Sequence, residues 1–125
     1  GKAISINGDG TSSRDFCYID NVIQANLLSS FYEKNSMASV FNIAYGESTD
    51  LISLRESIFA ELRKRGMPTD EIRCHHLPFR DGDVKHSLAD IGYATIKLGY
   101  CPSHSLAEGL SPTIEWYLSN NSSKI

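Results

Sequence analysis

Glycine-centred breaks recur along this chain of 125 residues and leave room only for short helices and strands between them. The breaks fall at Gly8, Gly10, Gly46, Gly66, Gly82 and Gly99. Between them, segments with apolar residues at every third or fourth position alternate with short apolar runs. The sequence therefore predicts an α/β fold, a mixed α+β arrangement of helices with short strands, in one compact unit. The length suits one domain and not comfortably two.

Four segments carry the pattern of an amphipathic helix with a capping residue at its start. The first expected helix covers 21–34 and is capped by Asp20, and the third covers 91–98 and is capped by Asp90. The second covers 53–65 and starts with a capping box of Ser53 and Glu56. The last starts with a capping box of Ser105 and Glu108 and runs toward Tyr117. The first has a wide apolar arc and should be well buried. Pro112 lies inside the last helix and should kink it or delay its start.

The expected strands are all short. They cover residues 4–6 and 16–19, joined by a glycine-rich turn, a buried run at 40–44, a small strand at 51–52 and a strand-like segment at 72–79. Residues 120–125 are expected to form a frayed tail. The chain starts without Met and enters a strand pattern within three residues, which suggests a piece of a longer polypeptide.

Charge and apolar content argue against several classes of function. Twelve Lys and Arg against 15 Asp and Glu give a net charge of −3, which argues against a general nucleic-acid binder. No apolar run approaches the roughly 20 residues that span a bilayer, and no signal peptide is visible, so no membrane partner is expected. The three cysteines, at 17, 74 and 101, are odd in number and widely spaced, which favours a cytoplasmic chain with reduced, buried thiols.

No complete catalytic, cofactor or metal motif is present, so no catalytic, cofactor-binding or metal residue is assigned. The turn at residues 8–10 lacks the third glycine of a dinucleotide fingerprint. Tyr93 and Lys97 match the spacing of a catalytic Tyr-x-x-x-Lys pair, but no cofactor-binding strand, turn and helix precede them, and a surface helix is the favoured interpretation. His75 and His76 are neighbours on an expected strand and point to opposite faces, which argues against a metal site.

Two arginines in polar loops are the stronger functional candidates. Arg14 follows the glycine-rich turn, and Arg80 precedes Asp83 in another loop. Two planar guanidinium groups could clamp a pyrophosphate, Asp83 could accept hydrogen bonds from a sugar hydroxyl, and Gly82 would permit a tight backbone between the charged residues. The alternative is that both arginines form surface salt bridges.

The stretches around these residues resemble the nucleotide-sugar epimerases of the extended short-chain dehydrogenase/reductase family. The resemblance is carried by Gly8-Asp9-Gly10 with Ser13-Arg14-Asp15-Phe16-Cys17-Tyr18-Ile19, by Phe41-Asn42-Ile43-Ala44-Tyr45-Gly46, and by Arg80-Asp81-Gly82-Asp83 with His86-Ser87-Leu88-Ala89-Asp90. Together they look like the UDP-N-acetylglucosamine 4-epimerases of bacterial surface-polysaccharide and lipopolysaccharide synthesis, over residues 4 to 118.

The resemblance implies a substrate-binding role for six residues. They are Arg14 and Arg80 for the diphosphate of a UDP-sugar, Asp83 for the uridine ribose, Ser5 and Asn7 for the uracil, and Ser87 for the sugar. Serine at position 87 stands where epimerases restricted to plain hexoses carry a bulky aromatic residue. The smaller side chain leaves room for an N-acetyl group.

The resemblance further implies that residues 1–119 are the C-terminal substrate-binding domain of an NAD-dependent isomerase that interconverts UDP-N-acetylglucosamine and UDP-N-acetylgalactosamine. The NAD site and the catalytic residues would lie in an N-terminal Rossmann portion that these residues do not include, so the chain alone is expected to be inactive. The partner would be a UDP-N-acetylhexosamine, and the full-length enzyme a homodimer. The open alternatives are a UDP-uronate 4-epimerase or decarboxylase, and a non-catalytic nucleotide-sugar-binding module.

Overall fold

The structure, a computed structural model, describes residues 3–33 and 39–121, and it confirms a mixture of helices and short strands. In chain order the elements are β1 (Ile4–Asn7), β2 (Ser13–Arg14), α1 (Ile19–Ser30), β3 (Thr49–Asp50), α2 (Leu51–Lys64), β4 (Cys74–Leu77), α3 (Gly92–Leu98) and α4 (Leu106–Asn121). Helix α1 packs on α3, and α2 packs on α4. None of the helices in these two ranges is long and apolar enough to cross a membrane.

The strands form two separate two-stranded sheets. Strand β1 pairs in parallel with β4, with Ile4 opposite Cys74 and Asn7 opposite Leu77. Strand β2 pairs antiparallel with β3. The expected hairpin between strands 4–6 and 16–19 is therefore wrong. The chain leaves the sheet after β2, where the Asp15 carboxylate accepts hydrogen bonds from the backbone N–H groups of residues 45 and 46, at 3.0 Å each.

Helix α2 begins earlier than its capping pattern predicts. Asp50 is the N-cap, and its Oδ1 accepts a hydrogen bond from the Ser53 N–H at 2.8 Å. The Ser53 hydroxyl donates to the other Asp50 oxygen, so Ser53 itself does not cap the helix. Leu51 and Ile52, expected in a strand, form the first turn of α2. The strand expected at 40–44 is also wrong, because that segment has no regular hydrogen-bonding pattern.

Helix α1 is shifted from the expected range 21–34. Tyr18 takes the N-cap position, and Asp20 lies in the first turn instead of capping the helix. The helix ends at Ser30, where the hydroxyls of Ser29 and Ser30 donate to backbone carbonyls three residues earlier. Such local bonds compete with helix continuation. The last expected helical residue, 34, lies outside the described residues.

The expected burial of α1 is wrong for one of its faces. Asn21 and Ala25 are buried, whereas Ile23, Leu27 and Phe31 are 47%, 60% and 82% exposed. The exposed residues recur at every fourth position, so they share a face that points away from the packed interior. The wide apolar arc of this helix therefore comprises one buried face and one that is about half exposed or more in the described part of the chain.

The hydrophobic core lies between α1, α3 and the segment after α3. Ala25, Ala94 and Tyr100 are its buried members, with partly buried side chains such as Phe41 and Ile43 packed around them. The Tyr100 hydroxyl donates a hydrogen bond to the backbone carbonyl of residue 44 at 2.7 Å. Burial raises the pKa of Tyr100 well above its usual value, so the phenol stays protonated as a donor.

The last two helices follow their sequence signals more closely. Helix α3 ends at Leu98, and Gly99 caps it with φ of 68° in the left-handed region. The predicted capping box before α4 is confirmed, because the Ser105 N–H and hydroxyl both donate to Glu108 Oε2, at 2.8 and 2.6 Å. Pro112 does not delay the start of α4, which begins at Leu106. Helix α4 runs to Asn121, and the remainder of the expected tail, 122–125, lies outside the described residues.

The cysteines are less buried than the sequence suggests. Cys17 and Cys74 are half-buried, and Cys101 is exposed. All three are free thiols. Cys101 follows the buried Tyr100 at the end of the core, which places its side chain on the surface. The prediction of three buried thiols is wrong for Cys101.

Candidate functional site

A cavity of about 310 Å³ lies between β1 and α2. Its lining combines all four residues of β1, an apolar face of α2 that includes Leu54 and Ile58, and two charged residues of the loop after β4, Arg80 and Asp83. Four of the six residues expected to bind substrate therefore meet at one place. They are Ser5, Asn7, Arg80 and Asp83.

One edge of β1 is available to this cavity. The N–H groups of Ile4 and Gly8 donate to the carbonyls of Arg73 and Leu77, at 2.9 and 2.8 Å, on the side of β4. Because backbone groups alternate in direction along a strand, those of Ser5 and Asn7 point to the opposite edge. That edge pairs with no other strand among residues 3–33 and 39–121.

Gly8 brings the charged loop close to the end of β1. Its φ is 78°, and a Cβ at this position would lie 2.2 Å from the nearest ring carbon of Phe79. Only glycine allows both this backbone conformation and this contact. The contact places Phe79, and therefore Arg80 after it, against the carboxyl end of β1.

A tight turn joins Arg80 to Asp83. The Asp83 N–H donates to the Arg80 carbonyl at 3.2 Å, and Gly82, the third residue of the turn, has φ of 77°. A type II turn requires such a positive φ at its third position. The prediction that Gly82 permits a tight backbone between two charged residues is confirmed.

Arg14 joins the cluster through an ion pair. Its Nη2 donates to Asp83 Oδ1 at 2.7 Å, and its Nη1 donates to the carbonyls of Ser13 and Lys85, at 2.8 and 3.3 Å. The salt bridge considered above as the alternative role of Arg14 is therefore present, and its partner, Asp83, lines the cavity. The bond occupies one Asp83 oxygen and leaves the other to accept a hydrogen bond from a ligand. No ion pair to Arg80 is present within the described ranges.

Ser87 lies beside this cluster and does not line the cavity. Its N–H donates to the Ser13 carbonyl at 3.1 Å, so it is held next to β2 and one residue away from Arg14. The neighbouring His86 ring lies against the same strand, with Nδ1 at 3.0 Å from the Ser13 hydroxyl. The Ser87 side chain is exposed.

Among the charged residues that line the cavity, sequence reasoning missed Arg55 on α2. Hydrogen bonding to Glu56 raises the pKa of Arg55 above its already high usual value, so the side chain remains a cation. Its position in the sequence could have indicated that it lines the cavity. Arg55 lies one turn after Leu51 and one turn before Phe59, so it puts a charge on an otherwise apolar face of the helix.

The charges at the cavity are unbalanced in favour of cations. Arg14, Arg55 and Arg80 carry three positive charges, against two negative charges on Asp83 and Glu56, the ion-pair partners of Arg14 and Arg55. Guanidinium groups present planar arrays of donors that match phosphate oxygens. The apolar side chains of β1 and α2 add a surface that a ring can contact. The site can therefore hold an anion at one end and an aromatic ring along its wall.

A wider groove of about 830 Å³ separates α2 from α4 and is a weaker candidate. Its two cations, Lys64 and Arg65, both form ion pairs with Glu61, and two further carboxylates, Glu108 and Glu115, line the groove, so it has no excess of positive charge for an anion. No group of three or more metal-ligating side chains occurs in the part of the chain that the structure describes.

No protein-family model matches the chain, but curated proteins do. It is 30% identical to a dTDP-L-rhamnose 4-epimerase of Burkholderia thailandensis, over 92% of this chain and 30% of that protein. It is 35% identical to UDP-glucuronate 4-epimerase 2 of Arabidopsis thaliana, over 94% of this chain and 29% of that protein. The chain thus spans about a third of the length of the curated relatives that it matches.

Solved structures show the same fold over nearly the whole chain. A UDP-N-acetylglucosamine 4-epimerase from Methanobrevibacter ruminantium, in complex with UDP-N-acetylmuramic acid, matches with a TM-score of 0.80 at 35% identity, over 95% of this chain and 36% of that one. A UDP-glucuronic acid 4-epimerase from Bacillus cereus, with UDP-glucuronic acid and NAD, matches with a TM-score of 0.78 at 30% identity, over 95% and 36%.

Proposed function

We propose that the chain, which is similar in sequence and fold to nucleotide-sugar 4-epimerases of the extended short-chain dehydrogenase/reductase family, is the UDP-sugar-binding portion of such an enzyme. One observation carries the proposal. Ser5, Asn7, Arg80 and Asp83 line a single cavity, and Arg14 joins them through Asp83.

The diphosphate is assigned to the arginines. Arg80 lines the cavity, and Arg14 lies beside it, bonded to Asp83. Arg14 and Asp83 are both about a third exposed, so the bond between them is weak enough for a phosphate oxygen to share the Arg14 donors. The second Asp83 oxygen then accepts a hydrogen bond from a ribose hydroxyl.

The uracil is assigned to the open edge of β1. Uracil presents an acceptor, a donor and an acceptor along one edge of its ring. The N–H and C=O of Asn7 or Ser5, directed away from β4, offer a donor and an acceptor that complement two of these groups. Ile6 and Leu54 supply apolar contact for the ring faces.

The finer substrate assignment is a UDP-N-acetylhexosamine, interconverted between its gluco and galacto forms in surface-polysaccharide synthesis in the cytoplasm, by a homodimeric full-length enzyme. It is supported by the small side chain of Ser87 beside Arg14. A UDP-uronate 4-epimerase is the second candidate, because UDP-glucuronate 4-epimerases are among the relatives at similar identity.

NAD is the cofactor that the family implies, and the turn at Gly8 and Gly10 does not fit it. A dinucleotide pyrophosphate needs a glycine-rich turn that leads from a strand into a helix and lets it approach the backbone. This turn leads from β1 to β2, and the side chains of Phe79 and Ile52 fill the space beside the two glycines. We therefore assign NAD and the hydride chemistry that it supplies to a separate portion of a longer enzyme.

The proposal is tested by titrating the chain with UDP, followed by calorimetry. Replacing Arg80 by glutamine removes charge-assisted hydrogen bonds to the diphosphate, and we expect UDP affinity to fall at least about tenfold. Arg73→Gln is the matched control, because Arg73 is exposed and lies outside this cavity. Absence of UDP binding by the unmodified chain, or equal binding by Arg80→Gln, would contradict the proposal.

A further inference from the structure

Arg55 is a largely covered cation within an otherwise apolar stretch of the cavity wall. Its side chain is 25% exposed, and its Nε and Nη2 both donate to Glu56 Oε1, at 3.2 and 2.7 Å. Neighbouring residues on a helix do not face each other, and Glu56 is 53% exposed, so this pair holds Arg55 weakly. Two of its five N–H donors are used, and the others are available to a ligand.

The strand register separates Arg55 from the other two arginines. Ile4 lies opposite Cys74 at one end of the β1–β4 sheet, and Asn7 lies opposite Leu77 at the other. Arg80 follows β4, so it lies at the Asn7 end with Asp83 and Arg14. The start of α2 is held just beyond the Asn7 end, because the N–H groups of Leu51 and Ile52 donate to the carbonyls of Ser12 and Gly10 at 3.1 and 3.3 Å. Arg55 follows one helical turn after Leu51, so it lies further from that end.

The distance between the two ends fits one nucleoside. Three residue steps of a strand span about 10 Å. A nucleotide whose diphosphate lies at Arg80, and whose ribose lies at Asp83, would extend its base along β1 toward Arg55. A third arginine placed for the diphosphate would instead be expected at the Asn7 end.

We propose that Arg55 is a specificity-determining residue that donates a hydrogen bond to a carbonyl oxygen of the base of a bound pyrimidine nucleotide. The inference rests on the proposed function and deepens it by giving the base a side-chain partner. Uracil and thymine carry two carbonyl oxygens, whereas adenine carries none. Arg55 therefore favours uridine and thymidine diphosphate sugars over adenosine diphosphate sugars.

The test compares Arg55→Gln with the unmodified chain for three ligands: UDP, uridine and ADP. A base contact is present in both UDP and uridine, so we expect both affinities to fall by the same factor, about tenfold. The weaker affinity for ADP should be unchanged, and the preference for UDP over ADP should fall by that same factor. Arg73→Gln is the matched control, since Arg73 is an exposed arginine that lies outside the cavity.

Each other outcome overturns the inference. If Arg55→Gln weakens UDP but not uridine, Arg55 contacts a phosphate. If it weakens neither, Arg55 does not contact the ligand. If thermal unfolding shows that Arg55→Gln does not fold, Arg55→Lys is measured in its place. Unequal losses of affinity for UDP and for uridine in Arg55→Lys overturn the proposal. Failure of the unmodified chain to bind UDP would instead remove the proposed function, and this inference with it.

Discussion

At the scale of single residues, Asp83 organises the charged end of the cavity. It holds Arg14 through Oδ1 and follows Arg80 across a four-residue turn. The ion pair is partly exposed and contributes about 0–1 kcal/mol at most to folding. Its effect is therefore on position: it fixes one guanidinium beside the cavity that Arg80 lines, while costing little to open when an anion enters.

Ser87 gives a prediction about the sugar. Ser87→Tyr adds a ring next to Arg14, where the resemblance places the sugar, and we expect it to reduce affinity for UDP-N-acetylglucosamine at least about tenfold while affinity for UDP is kept. Both affinities are measured by calorimetry. The control is Ser119→Tyr, which adds the same ring at an exposed position of α4. An equal loss for both ligands, or no loss, would show that Ser87 does not adjoin the sugar.

Residue chemistry was predictable where it depends on a short stretch of sequence. The turn through Gly82 follows from four consecutive residues, and the sequence places Arg80 and Asp83 in it. Arg55 was missed because a charged side chain on a helix is usually solvated. Its contact with the cavity depends on how α2 packs beside β1, which a local pattern does not contain.

At the scale of elements, both strands of the β1–β4 sheet were predicted, but not their partnership. The glycine-rich turn after β1 favours a hairpin with the next strand. A parallel pair needs a long connection, and here about 70 residues separate the partners, so no local signal marks it. The start of α2 was missed for a different reason, because Asp50 and Ser53 are both good caps and their mutual hydrogen bond decides between them.

The caps of α2 and α4 predict how stability depends on pH. Hydrogen bonds from Ser53 lower the pKa of Asp50 below its usual 3.8, and hydrogen bonds from Ser105 lower the pKa of Glu108 below its usual 4.5. A carboxyl with a lowered folded-state pKa stabilises the fold fully above its unfolded pKa, and loses this effect as pH falls through the folded value. We therefore expect the urea midpoint to be steady above about pH 5 and to fall below pH 4.

The matched variants separate the caps from other carboxyls. Asp50→Asn with Glu108→Gln keeps the size of both side chains and removes their titration, so the decline between pH 5 and pH 3 should become shallower. Glu115→Gln, at an exposed carboxyl of α4, should leave the decline as it was. Unfolding in urea is followed by circular dichroism. An equal urea midpoint of the unmodified chain at pH 5 and pH 3 would contradict the expectation.

At the scale of the whole molecule, the cavity depends on three parts of the chain that are distant in sequence. Strand β1, helix α2 and the loop after β4 each supply a wall, and none of the three forms the cavity alone. The residue types at the site were therefore accessible from the sequence, through a family resemblance, whereas the packing that joins them was not. The similarity to solved epimerase structures extends over 95% of the chain, which includes all three parts.

The whole molecule also gives a prediction about activity. Epimerisation at C4 of a sugar requires a hydride acceptor next to the bound substrate. The turn at Gly8 and Gly10 does not fit NAD, so the chain alone, given UDP-N-acetylglucosamine and NAD, should form no UDP-N-acetylgalactosamine. Product is measured by chromatography, with UDP titration of the same preparation as evidence that the binding site is folded. Product that scales with chain concentration, and is lost in Arg80→Gln, would show that these 125 residues hold a complete active site.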